Sequence, residues 1–406
     1  MTAYSHEAAA TAFEPTELYG SLRDQCPVHH EADHDPPFYV LSRFDDILAV
    51  LKQPNQWING DGPGVFYQPT GVLGTTDEPA HSRHRHVLRA AFLPTAIQRL
   101  APRLRQIADE LFDRMIPLGS GDFIELIAAP LPALAIAELL GVPDGDRRSF
   151  GALSDDAVAA LTGGDVDRYH RAKAALEAHI DRGMAARQAM PVDERPADVL
   201  SILTAARADG TLSTVEALHI GYQLLVAGHE TTTSLIGMML YRLLEHPQVM
   251  ARLRADPALI PVAVEEALRF DSPVHGLFRT NVSDCTLHDQ QIQARSKLQL
   301  VYASANRDPR QFSDPDEFNI DRPPREIGRH IAFGWGIHHC IGAPLARLET
   351  AIAIELLLDR TTHIELAGDA ERNRSFVLHG LTRLPIRWST AVDQTAHDKE
   401  TPADEH

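Results

Sequence analysis

Cysteine is scarce in this chain: its 406 residues hold three, Cys26, Cys285 and Cys340. Three thiols make no disulfide framework, so a reducing compartment is the expected setting. Basic charge is also short, with 38 Lys and Arg against 56 Asp and Glu and a net charge of −18. No basic segment offsets that balance, so a nucleic-acid partner is not expected. The most apolar stretch, 123–142, is interrupted by Glu125, Pro130, Pro132 and Glu138 and falls short of a membrane span. The opening MTAYSHEAAATAFEPTEL has neither the basic n-region nor the apolar core of a secretory signal. A cytoplasmic protein with no membrane segment is expected.

What is abundant is helical periodicity. Apolar residues recur at i, i+3, i+4 around 97–116, 131–141, 168–188, 214–246, 258–269 and 345–358, while strand-like pieces are short, at 38–41, 297–303 and near 376–388. The expected fold is mainly α with a minor β region, in one domain over 13–390, because no repeat or long Gly/Ser linker divides the chain. Residues 1–12 and the acidic tail 391–406 read as disordered, and 189–197 as a loop. The longest helix starts at a capping box, Ser213 with Glu216, and stops at His246-Pro247. At 1.5 Å per residue it would run roughly 50 Å, through the centre of the domain. Its middle, Ala227-Gly228-His229-Glu230-Thr231-Thr232-Thr233, nevertheless collects weak helix formers. That segment answers to something besides helix stability. It is not a zinc-protease motif, since H-E-x-x-H needs a second histidine where Thr233 stands.

Cys340 lies in Phe333-Gly334-Trp335-Gly336-Ile337-His338-His339-Cys340-Ile341-Gly342, just before the helical run that begins Ala343-Pro344. Unpaired N–H groups and the positive end of that helix would favour a thiolate and lower its pKa. Three readings compete: a buried cysteine in a glycine-rich turn, a zinc site with His338 and His339, and a heme iron with axial thiolate. Three adjacent residues rarely serve one tetrahedral ion, and no C-x-x-C partner exists. Glycine-rich backbone ahead of a helix-capping cysteine suits the heme.

The pattern F-G-x-G-x-H-x-C-x-G resembles the heme-binding signature of the cytochrome P-450 family, and further family elements follow in order over about 70–390. The resemblance implies heme b ligated by Cys340 between the long I helix and the cysteine-bearing segment, with Phe333 and Gly342 lining it. It implies that His81 and Arg85, four apart on one helix face, bind a heme propionate, and that Arg279 and His338 serve the second. His84 and His86 read as solvated neighbours. Glu266 and Arg269 resemble the family's E-x-x-R pair, with Arg322 as the third member. Ala227-Gly228-x-Glu230-Thr231 resembles the oxygen-binding groove: small residues leave room for dioxygen, and a threonine bonded back to a carbonyl opens the helix locally. Glu230 and Thr231 would then deliver protons, while the thiolate pushes electron density onto iron.

The implied activity is insertion of one atom of dioxygen into a hydrophobic small molecule, by hydroxylation or epoxidation. Electrons would come from NAD(P)H through a ferredoxin reductase and a ferredoxin, with Arg83 and Arg347 as candidate docking cations. Substrate contacts are expected from Phe66, Tyr67, Leu224, Ala227, Val274, His275, Phe278, Phe376 and Val377, with His275, Tyr67 or Gln68 as polar anchors. A monomer is expected. A peroxide-driven peroxygenase and a non-catalytic heme sensor are the alternatives, and the Glu230–Thr231 pair speaks against both.

Overall fold

The computed structural model describes residues 4–67, 71–147, 151–153, 156 and 166–391. Each predicted helix is present, with bounds Pro94–Met115, Pro130–Leu140, Val166–Gln188, Thr214–Glu245, Ile260–Asp271 and Ala343–Arg360. The central helix, Thr214–Glu245, begins at the expected capping box: the Glu216 amide donates to Ser213 Oγ at 3.2 Å and the Ser213 amide to Glu216 Oε2 at 2.8 Å. It buries residues on all faces along its second half and packs against Pro130–Leu140, Val166–Gln188, Ile260–Asp271 and Ala343–Arg360. A helix enclosed on every side needs apolar residues around its whole circumference, and the run Leu235 to Leu240 provides them.

Beside the helices stands a five-stranded sheet in the order Val28–Glu31, Phe38–Leu41, Lys297–Leu300, Leu277–Asn281, Trp57–Ile58. Phe38–Leu41 and Lys297–Leu300 run parallel, and the other neighbours antiparallel. The strand predicted over 297–303 ends at Leu300, and Tyr302–Ala305 turns helical. Within Leu277–Asn281, neighbouring side chains must point to opposite faces. Phe278 goes into an apolar cluster with Phe38 and Phe376, ring centroids 5.2 and 6.3 Å away, which leaves Arg279 on the other face.

The start of the chain differs from the expectation of disorder. His6–Thr11 is a helix whose cap, Ser5 Oγ, accepts from the Ala8 amide at 3.1 Å. Tyr4 and Ala9 join the cluster of Tyr19, Leu22 and Phe38, an anchorage too sparse in apolar residues to show as periodicity. The loop predicted at 189–197 holds one short 3-10 turn, Val192–Glu194. Apart from Ala391, the tail lies outside the described residues, as does Gln68. Among the described residues no helix is long and apolar enough to cross a membrane.

Candidate functional site

The cysteine segment is shaped by its glycines. Gly334 and Gly336 both sit at φ +69°, where a Cβ would be strained. The loop closes when the Cys340 amide donates to the Phe333 carbonyl at 2.9 Å, and Ala343–Arg360 follows directly. Cys340 is solvent-accessible, yet protein surrounds it so closely that burial dominates its protonation. A side chain meets both conditions on the wall of a cavity. Burial pushes the thiol pKa up, and the Gly342 and Ala343 amides with Arg85 and Arg347 offset only part of it. This reverses the expectation of a lowered value: desolvation outweighs the helix terminus. A bound metal cation would deprotonate the sulfur outright.

Above the loop lies a cluster of bases. The rings of His81 and His338 are 4.1 Å apart, and His81 Nε2 and His338 Nδ1 are buried without a partner. Burial, then Arg279, His81 and Arg85, carry the His338 pKa down to about 3. Arg85 Nη1 donates to the His339 carbonyl at 2.8 Å and Arg279 Nη1 to the Phe278 carbonyl at 2.9 Å. Among the described residues neither arginine pairs with a carboxylate. Glu78 reaches only His81 Nδ1, at 3.4 Å, so two arginines without a carboxylate and two imidazoles with one unsatisfied nitrogen each converge, a set that the two propionates of a heme would complete. Arg85 acts electrostatically on both Cys340 and His338, so thiol and bases belong to one site. The residues fit a heme. Phe333 stands beside the loop under Arg347, whose guanidinium carbon is 4.6 Å from its ring.

The central helix adds the other wall. Thr231 Oγ1 donates back to the Ala227 carbonyl at 2.8 Å. Ala227 is exposed although it lies mid-way along a helix otherwise enclosed, which places it on a cavity too. Gly228 would gain only contacts with Ile136, at 3.7 Å and beyond. The α-helical pattern is unbroken here, so the groove comes from small side chains and not from an opened turn. His229 faces away, Nε2 lying 3.1 Å from the Ala129 carbonyl, and Glu230 is half-buried.

Glu266, Arg269 and Arg322 form one buried triad. Arg269 donates to Glu266 through Nε at 2.8 Å and Nη2 at 2.7 Å, and Arg322 Nε reaches Glu266 Oε1 at 3.1 Å. His84 is no solvated neighbour: it is buried, its Nδ1 accepting from the Leu73 amide at 3.2 Å and its Nε2 3.0 Å from Glu216 Oε1. The docking cations are occupied, Arg83 by Glu216 and Arg347 by Glu265.

The expected substrate residues scatter. Leu224 is buried on the central helix and Val274 is half-buried. Phe66 is exposed, and Tyr67 covers the Lys297 ammonium, 4.9 Å from its ring, while its hydroxyl donates to the Arg295 carbonyl. Phe278 and Phe376 lie in the apolar cluster behind the sheet, and Val377 meets His275 through its backbone. His275 is buried and hydrogen-bonds the Tyr19 hydroxyl at 2.9 Å, away from Val274. Leu378, not among the expected residues, is bridged to Val274, a pairing of residues that lie 104 apart in the sequence.

Comparison with known proteins agrees with this geometry. A family model for cytochrome P450 matches residues 156–385. The cytochrome P450 monooxygenase PikC of Streptomyces venezuelae is 36% identical over 393 residues, covering 93% of this chain and 92% of the relative. The polyketide biosynthesis cytochrome P450 PksS of Bacillus subtilis is 33% identical, covering 92% and 96%. A solved structure of CYP109E1 from Bacillus megaterium in complex with testosterone superposes with a TM-score of 0.82 at 32% identity, covering 92% of this chain and 99% of that one.

Proposed function

From the premise that this chain belongs to the cytochrome P450 family and is a heme-dependent monooxygenase, we propose that it hydroxylates or epoxidises a hydrophobic small molecule with electrons from a ferredoxin and its NAD(P)H-dependent reductase. The observation that carries this reading is the accessible Cys340 thiol sharing one site with the part-satisfied imidazoles of His81 and His338 and with Arg85 and Arg279, which have no carboxylate partner among the described residues. When bound, heme supplies the redox-active iron at which dioxygen is reduced and one oxygen atom is passed to the substrate. The Cys340 sulfur ligates that iron. His81 and Arg85 hold one propionate, and Arg279 and His338 the other. Thr231 keeps a proton at Oγ1, parked on the Ala227 carbonyl, and Glu230, the preceding residue, relays protons towards it.

The apolar bridge of Val274 and Leu378 suits a rigid hydrocarbon skeleton, the class to which the testosterone bound by CYP109E1 belongs. Within the cysteine loop, Trp335 and Ile337 are exposed. They offer a small apolar contact for a transient electron carrier.

Carbon monoxide bound to the reduced protein tests the ligand, since a thiolate gives a Soret band far to the red of a histidine-type one; the histidine type in folded protein would defeat the reading. With a ferredoxin system, Thr231→Ala is expected to divert electrons from product to peroxide. Unchanged coupling would remove Thr231 from proton delivery, and turnover by peroxide alone, without ferredoxin, would replace the monooxygenase route by a peroxygenase one.

A further inference from the structure

The late bridge to Val274 has a polar back that none of the motifs uses. The segments 273–276 and 377–379 meet antiparallel at Val274 and Leu378, with the His275 amide donating to the Val377 carbonyl at 2.7 Å and the His379 amide to the Pro273 carbonyl at 2.8 Å. Alternation sends Val274 and Leu378 to one side and His275 and His379 to the other. Val274 and Leu378 are half-buried, whereas both histidines are 2% exposed. Gly380 seats the end of segment 377–379 on the central helix one turn beyond Thr231, so tightly that a Cβ there would lie 2.1 Å from Ser234 Oγ.

On the polar side the two imidazoles stack, centroids 4.3 Å apart and planes at 13°. His275 is satisfied by the Tyr19 hydroxyl at 2.9 Å. His379 is not: both its ring nitrogens are buried without a partner. Its Nε2 is 3.9 Å from Asp271 Oδ1, beyond a direct hydrogen bond. Asp271 is itself fixed by Arg242, Nη2 to Oδ1 at 2.7 Å. Against these groups lies a cleft of about 20 Å³, lined by Tyr19, Arg242, Asp271, His275 and His379 among others. A water needs about 10–15 Å³ of such space and two to four polar partners. A neutral imidazole with a free N–H and a free lone pair, beside a carboxylate, provides them.

We propose that His275 and His379 are a positioning pair for the substrate wall: the stack, tied to Tyr19 directly and to Asp271 through a water in this cleft, fixes where Val274 and Leu378 stand. Neither histidine touches the substrate; both act through the bridge. The inference rests on the heme reading above, and its test separates the two.

The ferric holoprotein is titrated with imidazole and with 4-phenylimidazole, both of which bind the iron through nitrogen and shift its optical spectrum. Only the second carries a phenyl ring out to the apolar wall. His379→Ala is expected to weaken 4-phenylimidazole about tenfold and imidazole less than about twofold. Tyr19→Phe removes one hydroxyl and should weaken the phenyl ligand about threefold with imidazole unchanged; it decides the matter alone if His379→Ala does not fold. Equal losses for both azoles, or no loss of the phenyl ligand in either variant, overturn the positioning role. An unaltered protein whose spectrum responds to neither azole overturns the heme reading instead.

Discussion

Two buried clusters of opposite character lie within this chain, and the contrast separates scaffold from site. In the first, Glu266 is shared by Arg269 and Arg322, all three almost wholly buried, and the remaining guanidinium hydrogens go to the Glu326 carboxylate and the carbonyls of Asn306, Ser313, Asp314, Pro315 and Glu317. In the second, His81, His338, Arg85 and Arg279 converge with two ring nitrogens unsatisfied, and among the described residues the carboxylate that reaches them is Glu78, 3.4 Å from His81 Nδ1. Burial alone does not distinguish them. Completeness does: a set that closes on itself spends its polar groups on folding, and one left short of an anion is built around something else.

The largest expected effect falls on the closed cluster. Glu266→Ala would strand the buried Arg269 and leave Arg322 with Glu326 alone, and breaking a buried pair in this way costs about 3–5 kcal/mol. Urea unfolding of the apoprotein and of the holoprotein should show similar losses, because the triad is complete without heme. A loss confined to the holoprotein would move the triad from scaffold to site and erase the comparison.

The open cluster should behave in the opposite way. His81→Phe and Arg279→Met each remove a charge-assisted partner of a propionate, worth about 1.5–3 kcal/mol of heme binding. Apoprotein stability should change little, since His81 carries a buried nitrogen without a partner and Arg279 is buried without a carboxylate among the described residues. Heme transfer to an excess of apomyoglobin measures the first quantity and urea unfolding the second. A variant that destabilises the apoprotein as much as it weakens heme retention would show the cluster to be scaffold after all.

The same contrast explains what the amino-acid sequence disclosed. Cys340, His81/Arg85, Glu266/Arg269 and Ala227 to Thr231 could be singled out because together, in order along the chain, they resemble one family's motifs, although each spacing alone fits a solvated or packed helix face as well. Arg322 came from its order along the chain. The substrate wall was not legible, because a strand residue's role depends on which face it takes: Phe278 beside Arg279, and His275 beside Val274, had to turn away once their neighbours turned in. His84 read as solvated because its partners, Leu73 and Glu216, lie 11 and 132 residues distant. The Cys340 thiol was placed on the wrong side of its usual pKa because enclosure, which sets desolvation, is a property of the folded cavity.

A smaller effect tests a third polar group, intermediate between the two. His275 and His379 are buried neutral, their pKa values held well below the usual histidine range by desolvation first and by Arg372 and, for His379, His275 as well. In the unfolded chain each takes up a proton near pH 6.5. Below that pH the unfolded state therefore binds more protons than the folded one, and stability falls as the solution is acidified, by at most about 1.4 kcal/mol per pH unit for each group. Their contribution is fully present above pH 6.5 and declines beneath it. His379→Gln removes one titrating ring while leaving donor and acceptor atoms for the cleft, so the slope of holoprotein stability between about pH 6.5 and 5 should fall by close to one proton relative to the parent. An unchanged slope would mean that His379 already binds its proton in the folded protein beside Asp271, which would make it the cationic half of a closed ion pair.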